Sequence, residues 1–294
     1  MPTANDRRLA VLGSPISHSR SPQLHRAAYR TLGLEYDYTA EEVDADALPG
    51  FLDSRGDEWL GFSLTMPLKR AVIAAADEID PVAEAAGTAN TLLFADSGDT
   101  VRRRVFNTDV PGMVRALHAA GCSEAGRVHI LGSGATAVCA LLAAARLGAS
   151  HVEVYARTPA HAEWVDGTAE QEGVTARVRP LAIADRTLAV PDLVISTLPG
   201  GARHPELYTA STRRRALLFD VSYDPWPSAL ATAWSEVGGR VLSGLALLVH
   251  QALLQVRIFV AGDPDIPLDD EPAVLEAMLE AAGIDAAGAP IGDA

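Results

Sequence analysis

Residues 127–158 read RVHILGSGATAVCALLAAARLGASHVEVYART, and this stretch decides the fold. The apolar run Val128 to Leu131 predicts a strand. A glycine turn follows, then an alanine- and leucine-rich helical segment from Ala135 to Leu147 that stops at Gly148. A second β-rich run covers His151 to Tyr155. Strand, turn, helix and strand make one βαβ unit of roughly 30 residues. The turn itself, Gly132-Ser133-Gly134-Ala135-Thr136-Ala137, has the spacing G-x-G-x-x-A. Gly132 permits the tight turn, Gly134 lets backbone approach a pyrophosphate, and Ala137 allows the helix to pack closely on the strand. The helix start presents unpaired N–H groups and the positive end of its dipole to phosphate. The unit predicts a dinucleotide site.

The end of the second strand indicates which dinucleotide. A site for NAD places an acid about 20 residues on, where it holds the ribose 2′-hydroxyl. Here the strand ends Tyr155-Ala156-Arg157-Thr158, and Glu153 sits mid-strand, away from the ligand-binding end. A guanidinium at Arg157 suits a 2′-phosphate because its planar fork donates bidentately, and Thr158 adds a hydroxyl. The expected cofactor is NADP.

Composition narrows the rest. Lys plus Arg number 24 against 38 Asp plus Glu, a formal charge of −14, which opposes non-specific binding of nucleic acid and of anionic membranes. A chain of 294 residues allows one large or two medium domains. Cys122 and Cys139 stand outside any C-x-x-C motif, so no disulfide scaffold is expected, and the reading is a cytoplasmic protein. The N-terminal MPTANDRRLAVLG has too short an apolar run for a secretory signal. The most apolar stretch, Val241 to Val260, is interrupted by Ser243, Gly244, His250, Gln251 and Arg257, and reads as a core helix rather than a membrane span. No metal is expected.

Ahead of the glycine turn, strands are predicted at Leu9–Leu12, Glu35–Ala40 and Trp59–Leu64. The loop Gly13 to Pro22 carries several serines and leads into a helix to about Leu32, with Ser21 as its expected N-cap. An acidic helix is expected over Val43–Asp53, and another from Pro67 to about Ala76. Lys69 near the start of that helix opposes its dipole, a placement poor for stability and therefore suggestive of function. Thr91–Ala95 and Thr100–Phe106 flank Asp96-Ser97-Gly98-Asp99 and predict a β-hairpin. Its open ends would bring Asn90 beside Asn107-Thr108-Asp109. Arg102-Arg103-Arg104 reads as a solvated edge strand. A helix is predicted over Pro111–Ala120, with Gly121 at its C′ position. Later strands at Arg177–Leu181, Asp192–Ser196 and Ala216–Val221 alternate with helical segments and imply a parallel sheet. The strand to Ser196 runs into Thr197-Leu198-Pro199-Gly200-Gly201, a further strand-end loop. Gly244–Val260 is a long helix with Gln251 on about the same face as Gly244, and Glu271–Ala282 a final one. The tail from Gly283 reads as loose.

Taken together, these segments resemble the shikimate dehydrogenases, in the family's order, from Gly13 to about Phe259. GSPISHSRSPQLH resembles the family's substrate-binding serine loop, and LTMPLK the motif with the catalytic lysine. AAGTANTL and NTDVPG resemble two further substrate motifs. GSGATA, ART and STLPGG resemble the NADP-binding loops, and GLALLVHQALLQVRIF the closing helix. The resemblance implies a two-domain α/β fold with a cleft: a substrate domain over 1–110, a Rossmann nucleotide domain over 111–243, and C-terminal helices over 244–294 returning to the substrate domain. It implies reversible, NADP-dependent reduction of 3-dehydroshikimate to shikimate in aromatic amino acid biosynthesis, by a monomer or homodimer. Ser19 and Ser21 would take the substrate carboxylate. Thr65, Asn90, Asp109 and Gln251 would hold ring hydroxyls with Tyr223 nearby, and Lys69 and Asp109 would form the catalytic pair. Gly132, Ser133, Gly134, Ala135, Thr136, Ala137, Arg157, Thr158, Thr197, Pro199, Val221 and Gly244 would line the cofactor. The chain departs from the family's pattern at Arg26, Ala135-Thr136, Ala156 and Pro227-Ser228-Ala229-Leu230.

An NAD-preferring quinate/shikimate dehydrogenase is opposed by Arg157, by the lack of an acid at position 156 and by the paired serines. A non-catalytic nucleotide sensor on the same scaffold is opposed by retention of Lys69 and Asp109, since sensing needs no proton donor.

Overall fold

The computed structural model describes residues 7–97, 100–186, 189–201 and 208–291. The chain forms two compact units. The first comprises residues up to Gly112 together with Leu248–Ile284, and the second comprises Met113–Leu247 with Asp285–Pro290.

The first unit is built on a six-stranded mixed sheet. Its strands are β1 (Arg8–Gly13), β2 (Asp37–Glu42), β3 (Trp59–Leu64), β4 (Glu78–Ile79), β5 (Thr91–Ser97) and β6 (Thr100–Phe106), in the order β2-β1-β3-β5-β6-β4. β1 is apolar nearly throughout and buried beyond its first residue, as expected of a strand with parallel neighbours on both sides. The β5–β6 hairpin introduces the antiparallel pairings, with Thr91 opposite Phe106. Gly98 and Asp99 of its predicted turn lie outside the described residues. β6 is not an edge strand: β4 pairs with it, and Arg102 and Arg104 reach Glu78 on that short strand at 2.9 and 3.2 Å.

The helices of this unit are α1 (Ser21–Thr31), α2 (Leu48–Asp53), α3 (Leu68–Ala71) and α4 (Pro81–Ala86). α1 buries Ser21, Leu24, His25 and Ala28, one face at helical spacing. The helix expected over Val43–Asp53 starts only at Leu48. α3 is a single turn continued by a 3₁₀ turn over Val72–Ala75, shorter than the predicted helix. α4, not anticipated, is capped by Asp80, whose carboxylate accepts from the N–H groups of Val82 and Ala83, and it ends at Gly87 with φ +59°.

The chain passes between units within α5 (Asp109–Ala119). The second unit holds β7 (Arg127–Leu131), α6 (Ala135–Arg146), β8 (His151–Ala156), α7 (Trp164–Gln171), β9 (Thr175–Pro180), β10 (Leu193–Ser196), α8 (Ala210–Arg215), β11 (Leu217–Asp220), α9 (Ala229–Ser235) and β12 (Val241–Ser243). All six strands are parallel, in the order β12-β11-β10-β7-β8-β9. The order reverses between β7 and β10, the doubly wound arrangement whose ligand crevice lies at that switch point. α6 buries Cys139 and seven neighbours against this sheet.

The return crossing lies within α10 (Gly244–Ala261), and α11 (Glu271–Ala282) follows. The boundaries placed at 110 and 243 by sequence therefore fall instead after Gly112 and Leu247, inside continuous helices. α10 is long and apolar enough to cross a bilayer, and 72% of it is buried within protein. Arg257 on α10 holds Glu271 on α11 through two 2.6 Å bonds. As far as Ile291 the segment after α11 is not loose: Asp285 N–H donates to Ala289 O at 2.8 Å and Ile291 N–H to Gly283 O at 2.9 Å. The Asp285 carboxylate adds bonds from Ala287 and Ala289, so this acid supplies the turn that composition hid.

Each unit encloses a buried histidine that burial holds neutral. His25 is pushed from 6.5 down to about 3 and His129 to about 4, in both cases because the charged ring loses hydration. The unfolded chain takes up these protons near pH 6.5 and the folded chain does not. Their contribution to stability is thus complete above pH 6.5 and is lost as pH falls through the folded values. We expect the urea midpoint to fall from about pH 7 to about pH 5, and His25→Gln or His129→Gln to flatten that slope. A flat profile in the parent protein would contradict this.

Candidate active site

The site in the first unit starts from two loops at the carboxyl ends of neighbouring parallel strands. After β1 runs the serine loop, and after β3 runs Thr65-Met66-Pro67. Ser14 N–H donates to Met66 O at 3.0 Å, tying the loops together. A Cβ on Gly13 would stand 2.5 Å from Thr65 Cγ2, so this close approach requires glycine. Ser21 is not the N-cap but the first helical residue, and its N–H donates to Ser19 Oγ at 3.3 Å. Arg26, one of the departures, donates to Tyr38 O on β2 at 2.8 Å.

Lys69 and Asp109 meet although 40 residues separate them: Nζ stands 2.6 Å from Oδ2, with side chains 20% and 6% exposed. Lys69 is held by the short α3, whose Leu68 is fully buried, and Asp109 opens α5, where a carboxylate favours the helix dipole. Asn107 sets that start, its Oδ1 accepting from Asp109 and Val110 N–H groups, while its Nδ2 donates to Thr88 O. The hairpin closes Asn90 onto this group as predicted. Asn90 Nδ2 lies 2.9 Å from Asp109 Oδ1, 2.9 Å from Thr108 Oγ1 and 3.1 Å from Gln251 Oε1. Gly112 is the clearance that admits Gln251: a Cβ there would stand 2.8 Å from Gln251 Cβ and 2.9 Å from its Cα.

Lys69, Asn90, Asp109 and Gln251 thus form one bonded group, and Ser19, Ser21 and Thr65 stand on the two tied loops of the same unit. Tyr223, Val221 and Gly244 belong to the second unit. Residues that sequence reading passed over include Ser63 and Gln255. Gln255 follows Gln251 by four positions on an otherwise apolar helix, and that spacing was the available signal.

In the second unit the glycine turn lies at the switch point. Gly132 has φ +115°, and a Cβ there would collide with Thr197 Oγ1. Thr197 in turn donates from its hydroxyl to Leu131 O at 2.9 Å, so the loops after β7 and β10 are locked together. Trp164 Nε1 donates to Ser133 O at 3.2 Å. Gly134 is the N-cap of α6 with open space where a Cβ would stand, and Ala137 is fully buried beneath it. Arg157 and Thr158 are exposed just beyond β8, and Pro199 is exposed in the loop after β10. Gly244 opens α10 so close to Val221 O that a Cβ would collide with it. The departing segment at Pro227 starts α9, with Ser228 Oγ accepting from Ala231 N–H at 3.0 Å. Among the described residues no group of three His, Cys, Asp or Glu is placed to hold a metal ion.

Two domain families match the chain: a shikimate dehydrogenase substrate-binding domain over residues 11–92 and an alanine dehydrogenase/PNT C-terminal domain over 104–223. The NADP(+) shikimate dehydrogenase of Thermus thermophilus is 34% identical over 92% of this chain and 98% of its own, and that of Methanothermobacter thermautotrophicus 31% over 95% and 99%. The chain belongs to the shikimate dehydrogenase family. Its fold is likewise that of family members. The Mycobacterium tuberculosis shikimate dehydrogenase superposes with a TM-score of 0.79 at 37% identity, covering 93% of this chain and 99% of that one. A Thermus thermophilus shikimate 5-dehydrogenase, in complex with NADP(H) and shikimate, gives 0.77 at 31% identity, covering 94% and 99%.

Gly112→Ala tests the packing that positions Gln251. The added methyl overpacks a backbone contact, so we expect a loss of about 1–3 kcal/mol in urea unfolding. An unchanged unfolding midpoint would show that α5 and α10 are not held this tightly.

Proposed function

We propose that this chain is a cytoplasmic NADP-dependent shikimate dehydrogenase, an oxidoreductase that reversibly reduces 3-dehydroshikimate to shikimate. The observation that carries the reading is the Lys69–Asp109 pair at 2.6 Å, with the second carboxylate oxygen of Asp109 held by Asn90. A nucleotide sensor has no use for such a proton-handling pair. The first unit is the substrate domain and the second the nucleotide domain. The protein acts as a monomer or homodimer and needs neither nucleic acid nor membrane.

NADPH supplies the hydride when bound. The fit of the second unit to that cofactor rests on the open cradle at Gly134, the start of α6 behind it and the exposed Arg157 and Thr158. Ser133, Ala135, Thr136, Ala137, Thr197, Pro199, Val221 and Gly244 would complete the lining, and Arg157 would pair with the 2′-phosphate.

The chain's own residues orient the sugar-like ring and move one proton. Ser19 and Ser21 receive the carboxylate through hydroxyls at the start of α1. Thr65, Asn90, Asp109 and Gln251 hold ring hydroxyls, and Tyr223 contributes from its loop. As hydride reaches the ketone carbon, the carbonyl oxygen gains negative charge. The Lys69 ammonium stabilises that charge and donates its proton to the oxygen, giving the alcohol; in the reverse direction the neutral amine takes it back. Asp109 fixes the ammonium in place through the 2.6 Å contact to Nζ.

Lys69→Ala should lower kcat for shikimate oxidation by roughly 10²-fold or more, the range for a lost proton-transfer group. A wild-type rate in that variant would refute the assignment. Arg157→Ala should raise KM for NADP by about 10- to 100-fold, the loss of a charged hydrogen-bonding partner, while leaving KM for NAD nearly unchanged. Equal effects on both cofactors would remove Arg157 from the 2′-phosphate.

A further inference from the structure

Behind Asn90 lies a buried polar chain that the reaction as described does not use. Gln255, 2% exposed on α10, donates from Nε2 to Asn90 O at 2.9 Å and to Thr91 Oγ1 at 3.1 Å. Its Oε1 accepts from Ser63 Oγ at 2.8 Å and faces His25 Nε2 at 3.2 Å. Tyr38 OH donates to Ser63 Oγ at 2.7 Å, and Tyr29 OH lies 3.1 Å from His25 Nδ1. The His25 ring stacks on Tyr38 with centroids 4.0 Å apart. Thr91, fully buried, donates to Asn90 Oδ1 at 3.1 Å.

The directions of these bonds are forced. Asn90 O only accepts, so the Gln255 amide must turn its NH₂ toward it and its oxygen toward Ser63 and His25. The His25 ring is neutral, so it carries its proton on Nε2 and accepts from Tyr29 at Nδ1. With Gln255 donating to it, the Thr91 hydroxyl has its own proton left for Asn90 Oδ1. Thr108 N–H also donates to that oxygen, at 2.9 Å. Asn90 is thereby left with its NH₂ facing Asp109 and Gln251. Packing alone would be served by an apolar residue at 255, as at its neighbours Leu254 and Val256.

We propose that Gln255, acting through Thr91 and the Asn90 main chain, is a positioning residue for the Lys69–Asp109 pair: together with the Thr108 N–H it holds the Asn90 amide in the orientation that donates to Asp109. This rests on the functional reading above. The chain makes the alignment of the proton-transfer pair depend on a residue that touches neither partner, a coupling within one hydrogen-bonded network.

The test uses Gln255→Met and Thr91→Val, which keep shape and remove the bonds, beside Ser63→Ala, which removes a bond to Gln255 without touching its link to Asn90. The first two should lower kcat for shikimate oxidation about 10-fold and raise the solvent deuterium isotope effect on it, as misalignment makes proton transfer more limiting. They should also speed hydrogen exchange at the Asn90 side-chain amide, a readout independent of turnover, and leave the Kd for NADP unchanged. Ser63→Ala should lower Tm without raising the isotope effect. Should Gln255→Met not fold, Thr91→Val decides. The proposal is overturned if the folded variants keep the wild-type isotope effect and Asn90 exchange, or if Ser63→Ala matches them. An inactive parent protein would instead indict the functional reading, and Asn90 exchange would still judge the positioning role.

Discussion

A lysine ammonium and an aspartate carboxylate, largely withdrawn from water, make the interaction on which the first unit depends. Such a pair is costly to bury unless its remaining polar atoms are bonded. The surrounding structure meets that demand. Asn90 takes the second carboxylate oxygen, Asn107 fixes the start of α5, and the single turn of α3 carries Lys69. The β5–β6 hairpin serves the same end, because it returns the chain so that residues 90 and 107–109 stand side by side. Around them, glycines at 13 and 112 let backbone come closer than any side chain would permit.

The second unit answers a different constraint, backbone approach to a charged diphosphate. Its tight turn depends on Gly132 at positive φ and on Thr197 filling the space beneath. Two loops that are distant in sequence are brought together because the strand order reverses between β7 and β10. Thr197 is thus a structural partner of the glycine turn as well as a residue proposed for the cofactor lining.

Much of this was legible in sequence because it follows from short-range rules. Strand–turn–helix periodicity marks the βαβ unit, and the hairpin predicts the meeting of Asn90 with Asp109. What escaped has identifiable causes. β4 and α4 are too short to show a period, and α4 is announced only by Asp80 before Pro81. The arginine run looked like an edge because the two-residue β4 that covers it is nearly invisible. The N-cap assignment at Ser21 failed because the helix begins one residue earlier than Pro22 suggests. The Gln255 chain depends on five separate elements, α1, β2, β3, β5 and α10, and no local pattern announces such a convergence.

The central claim is that this site oxidises shikimate with NADP. The most direct measurement is the initial rate with shikimate and quinate, each with NADP and with NAD. The account predicts strong activity with shikimate and NADP and little with the other three pairs. Equal or greater rates with NAD or quinate would contradict the specificity assigned to Arg157 and the serine loop, and no turnover with any pair would contradict the proton-transfer role of Lys69 and Asp109.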